Sequence, residues 1–98
     1  MFSPHAIAKQ IAIRVREKRL ALNLTQQALA TKSGVSLGSL KRFESRYEIS
    51  LRHLLLLAIA LQATEEFMQL FSATMYQRVD DVVKRKHLSK RKRGRKNV

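Results

Sequence analysis

Residues 25–45 constrain the fold of this 98-residue chain more than any other stretch, because two helix signals stand there with almost no chain between them. Thr25 has the side chain that caps helix starts, and the pattern after it, with Ala28 and Leu29 inward, predicts a helix over residues 26–32. Ser33-Gly34 ends that helix, glycine being the residue that enters a left-handed turn without penalty. Ser36 then caps another helix, predicted over residues 36–45, with Leu40 and Phe43 as its inward pair and Val35 just before it. Two short helices joined so tightly must cross, so that the first braces the second and the second protrudes.

The protruding face is polar. On a wheel of about 3.6 residues per turn, Glu44 falls beside Leu40 and Phe43, whereas Gly38, Lys41, Arg42 and Ser45 point the other way. Leu37 and Ser39 lie on the flanks. Two cations, two hydroxyls and a glycine suit base edges and phosphates better than an apolar partner, and a groove about 12 Å wide admits such a helix.

The rest of the chain reads as helical support. Ser3-Pro4 is a cap followed by proline at the first helical position, and Ile7, Ile11 and Val15 recur every four residues, predicting a helix to about Leu22. Arg16 and Arg19 of that helix are within reach of an acid such as Glu44. Ser50 caps a helix over residues 51–61 that is apolar on nearly every face and so needs cover on more than one side. Thr64 is expected to cap a fifth helix whose stripe is Phe67, Leu70, Phe71 and Met75. Residues 76–83 fit a helix or a strand equally, and 87–98 read as disordered. The expected fold is therefore all-α: a compact bundle of about five short helices over residues 1–75, then a C-terminal extension over 76–98 with a disordered basic tail.

Charge narrows the partner. The chain carries +13, and nine cations crowd its last fifteen residues with no acid among them, leaving +4 for the rest. Polyanions are the natural partners. The absence of cysteine removes disulfides and thiolate metal sites. The longest apolar run has eight residues, far short of the roughly 20 that span a bilayer, and no signal peptide is evident. A cytoplasmic protein without membrane contact is expected. His5, His53 and His87 share no ligand spacing, no glycine-rich phosphate loop occurs, and no serine has a placed histidine and acid, so neither metal, cofactor nor catalysis is expected.

The residues Leu24-Thr25-Gln26-Gln27-Ala28-Leu29-Ala30, Gly34-Val35-Ser36 and Leu40-Lys41-Arg42-Phe43-Glu44 together resemble the Xre/Cro/C1 family of phage and bacterial repressors over about residues 8–72. The resemblance implies a lambda-repressor-like helix-turn-helix that binds double-stranded DNA. It implies that Gln26, opening the second helix, clamps a phosphate, with Thr25, Ser36, Arg46 and Tyr47 as further phosphate contacts. It places base reading at Leu37, Gly38, Ser39, Lys41 and Arg42. Phage members often carry glutamines where this chain has Leu37 and Gly38, so Arg42 to a guanine becomes the leading direct readout, with Leu37 suited to a thymine methyl.

Within the family the chain, in its overall size, single such domain and short C-terminal extension, is most similar to HipB-type antitoxin repressors, which implies an autoregulating homodimer on a palindromic operator, associated with the bacterial nucleoid, and a HipA-like kinase toxin as partner. Leu55, Leu56 and Ile59, the surplus face of the fourth helix, are the candidate dimer interface. A phage or general regulator without a toxin, and a protein-bridging coactivator, are the alternatives. For the tail, a nonspecific DNA arm, a toxin-docking segment, a nuclear import signal and a solubilising end all stand open.

Overall fold

A computed structural model describes residues 2–73 of the chain. The expectations for residues 76–83 and for the basic tail lie outside the described residues. Within them the chain forms α1 (Pro4–Ala21), α2 (Gln26–Ser33), α3 (Leu37–Arg46), α4 (Leu51–Ala60) and α5 (Thr64–Met68), with no strand. Among the described residues no helix is long and apolar enough to cross a membrane. Contact density divides the chain into two units, Met1–Phe67 and Met68–Val98.

Hydroxyl caps set the starts of the first four helices. Ser3, Thr25, Ser36 and Ser50 each accept a hydrogen bond from the backbone N–H three residues on, at 3.0–3.1 Å. The ends are set by left-handed residues. Gly34 at φ +82° closes α2, its N–H donating to the Ala30 carbonyl at 2.9 Å, and Tyr47 at φ +64° closes α3 on the Phe43 carbonyl. Asn23 and Gln62 take the same conformation after α1 and α4. The short connection between α2 and α3 has its own brace: the buried Ser33 hydroxyl donates to the Ala30 carbonyl and accepts from the Val35 N–H at 3.1 Å.

The core lies where α2 meets α3 and α4 and where α1 meets α3. Leu29, Val35, Leu40, Phe43 and Leu57 are its fully buried large side chains, each worth roughly 1.5–3 kcal/mol relative to exposure. From α1 it receives Ala12 and Val15, with Ile11 packed at the margin. Ile7 does not join it and is exposed.

α5 is shorter than its apolar spacing predicts. It begins at Thr64, which is therefore inside the helix and not its cap, and stops at Met68. Beyond it, the N–H and hydroxyl of Ser72 both bond the Gln69 carbonyl, at 3.0 and 2.6 Å. This local turn competes with helical continuation, and Phe71 at φ +61° breaks the right-handed run. Phe71 is 95% exposed and Leu70 is exposed as well, so neither joins half-buried Phe67 in the expected stripe, and Met75 lies outside the described residues.

Candidate nucleic-acid interface

Two anchors decide how α3 presents itself. Leu40 and Phe43 sink into the core, which forces the opposite face outward: Gly38, Lys41, Arg42 and Ser45 are all exposed. Of the other residues expected to read bases, Leu37 is half-buried and packs against the core. Ser39 is half-buried and tied to the cap, its hydroxyl accepting from Ser36 at 2.9 Å. A Cβ built at Gly38 meets nothing within 4 Å, so nothing in the described residues requires glycine there. The free polar tip of α3 is thus Lys41 and Arg42.

Beneath that face lies a three-helix polar hub. Arg19 of α1 and Glu44 of α3 form a two-pronged ion pair, Nε to Oε2 at 2.9 Å and the outer nitrogen to Oε1 at 3.1 Å. Both side chains are over nine-tenths buried. The third guanidinium nitrogen donates to the Leu24 carbonyl at 2.9 Å, tying the α1–α2 connection to the same point. Gln26 completes the hub by donating its amide to Glu44 Oε1 at 3.0 Å. An amide nitrogen carries two hydrogens. One is held by Glu44, which orients the group; the other is left for an outside acceptor. Glu44 therefore links a buried charge pair to a half-buried side chain at the start of α2.

The other residues expected at phosphates are scattered more widely. Thr25 is exposed, its oxygen engaged by the Ala28 N–H, and Ser36 is the exposed α3 cap. Arg46 is exposed as the last residue of α3. Tyr47 is half-buried, its ring edge-on to His5 with centroids 5.4 Å apart. An open groove of about 520 Å³ brings Gln26, Lys41 and Tyr47 together and is walled on its far side by Lys9 and Arg16 of α1. Sequence reasoning did not single out Lys9. Its signal was the seven-residue interval to Arg16, two helical turns, which puts both on one face.

The residues expected to pair two chains lie on α4. Leu55 and Ile59 are exposed, whereas Leu56 is half-buried against the core, and Leu51 lies in line with the exposed pair at four-residue spacing.

Residues 15–67, just over half of the chain, match the model of the helix-turn-helix family, a span that runs from the second half of α1 into α5. No curated protein and no solved structure matches the chain.

Proposed function

The chain belongs to the Xre/Cro/C1-type helix-turn-helix family of DNA-binding transcription regulators, and we propose that it is a repressor that binds a palindromic operator as a homodimer. The observation that carries this reading is α3 itself: anchored by Leu40 and Phe43, it offers an exposed face of Gly38, Lys41, Arg42 and Ser45, whose two cations form no ion pair among the described residues.

In this reading Arg42 and Lys41 read base edges, Gly38 and Ser39 lie close to them, and Leu37 offers its free edge to a thymine methyl. Gln26 grips a phosphate with the amide hydrogen that Glu44 leaves free, flanked by Thr25, Ser36, Arg46 and Tyr47. Leu55 and Ile59, with Leu51 beside them and Leu56 beneath, supply an apolar face that a second copy would cover. A two-fold pair sets the two α3 helices about 34 Å apart, in successive major grooves.

Selection of bound duplexes from a random pool with the full chain is expected to return a palindrome with half-sites one helical turn apart. Arg42→Ala is expected to relax preference at one base pair, by about 1–3 kcal/mol. Gln26→Ala is expected to weaken all duplexes alike. If neither substitution changes binding, the assignment is refuted. Ile59→Glu is expected to shift the full chain toward monomer in sedimentation.

The finer role of antitoxin to a HipA-like kinase, acting at the bacterial nucleoid, draws on the family resemblance. Co-purification with a kinase encoded beside this gene supports it. A chain that selects no sequence yet binds other regulators supports the bridging alternative.

A further inference from the structure

The groove beside α3 has a second wall that the recognition helix does not account for. It is lined by Lys41 and Gln26 on one side and by Lys9 and Arg16 of α1 on the other. Lys9 and Lys41 form no ion pair among the described residues. Arg16 stands 4.0 Å from Glu44, and its side chain is 61% exposed. Glu44 has little to offer it, because Arg19 holds both of its oxygens and Gln26 shares one. The groove thus carries three cations whose only acid is already neutralised by a fourth.

The face of α1 that bears these cations is held against α3 at two points. His5 meets Tyr47 edge-on at the end of α3, and Arg16 approaches Glu44. His5, Lys9 and Arg16 follow one another at helical intervals between those points. Seven residues of helix separate Lys9 from Arg16, roughly 10 Å at about 1.5 Å per residue. Successive nucleotides of a strand advance by about 3.4 Å along the duplex axis, so the separation equals about three such steps.

We infer that Lys9 and Arg16 are DNA phosphate contacts, and that with Gln26 and Lys41 they line one continuous track for a segment of sugar–phosphate backbone. The inference rests on the DNA-binding reading above and adds α1 to the contact surface. The ligand is the phosphodiester backbone of duplex DNA. The contribution is independent of sequence, because neither side chain lies on the base-reading face of α3.

The test uses the full chain and a duplex selected by it from a random pool, with affinity measured across a range of salt concentrations. Lys9→Gln/Arg16→Gln is expected to leave the selected sequence unchanged and to flatten the slope of log affinity against log salt by about 1.8, near 0.9 for each phosphate no longer neutralised. Arg14→Gln/Lys32→Gln removes the same charge from exposed positions that do not line the groove, and is expected to leave the slope nearly unchanged. Thermal melts of both variants are expected to match the parent, since all four side chains are exposed.

An unchanged slope in the groove variant overturns the inference while leaving the DNA-binding reading intact. So does an equal flattening in the control pair, which makes the effect one of net charge. A parent chain that binds no duplex overturns the DNA-binding reading itself.

Discussion

Replacing Glu44 with leucine strands Arg19, over nine-tenths buried, without its carboxylate. Breaking a buried pair from one side costs about 3–5 kcal/mol, because the remaining charge stays desolvated and uncompensated. Domains of this size are stable by only about 5–15 kcal/mol in total, so the variant is expected to sit near its unfolding threshold. Its melting temperature should fall on the order of 20 °C. Arg19→Met is expected to cost as much, and to strip the Leu24 carbonyl of its 2.9 Å donor as well. The double variant Arg19→Met/Glu44→Leu removes both charges together and is expected to regain most of the loss, since apolar replacement of a whole buried pair is often neutral or stabilising.

Stability and DNA binding should then separate. The double variant folds, but Gln26 no longer has the 3.0 Å acceptor that orients its amide, so DNA affinity is expected to stay low. Urea unfolding followed by circular dichroism, run as a double-mutant cycle, measures the first part, and duplex titration measures the second. Repeating the cycle in 1 M salt sharpens it, because salt screens exposed pairs far more than buried ones. A Glu44→Leu cost below about 1 kcal/mol, the range of surface pairs, or a cost that vanishes in 1 M salt, would mean that Arg19 and Glu44 behave as an exposed pair and not a buried one.

Three further outcomes are expected. Leu29→Ala, at a fully buried position of α2, should cost about 2–5 kcal/mol in urea unfolding. Gly38→Ala should raise stability by roughly 1 kcal/mol, since the added Cβ meets nothing within 4 Å; a drop in duplex affinity in the same variant would show that DNA approaches the backbone there. Gly34→Ala has equally free space but holds φ at +82°, so it should destabilise by about 1–2 kcal/mol, visible as a lower urea midpoint.

What was legible in the sequence was local. Ser3, Thr25, Ser36 and Ser50 each act on an N–H three residues away, and Gly34 needs only its own backbone freedom, so helix starts and the α2–α3 turn follow from neighbours in the chain. The Leu40/Phe43 pair then settled which way α3 faces, because burying that pair turns Lys41 and Arg42 outward. Periodicity failed where burial depends on distant elements. Ile7 and Leu70 have the right spacing but no cover, and Leu51, rather than Leu56, shares the exposed line of Leu55 and Ile59.

The polar chemistry around α3 has a different origin. Capping and amphipathicity act within a turn or two of helix, so residues 25–45 alone dictate two short helices crossing at a glycine turn, the second with a basic face. They do not dictate which cation meets Glu44. Both Arg16 and Arg19 lie within reach of it along the chain; the fold selects Arg19 for the buried pair and leaves Arg16 half free. The orientation of Gln26 and the groove that joins Lys9, Arg16 and Lys41 arise the same way. These residues are up to 32 positions apart, and nothing short of packing α1 against α3 brings their charges into one field.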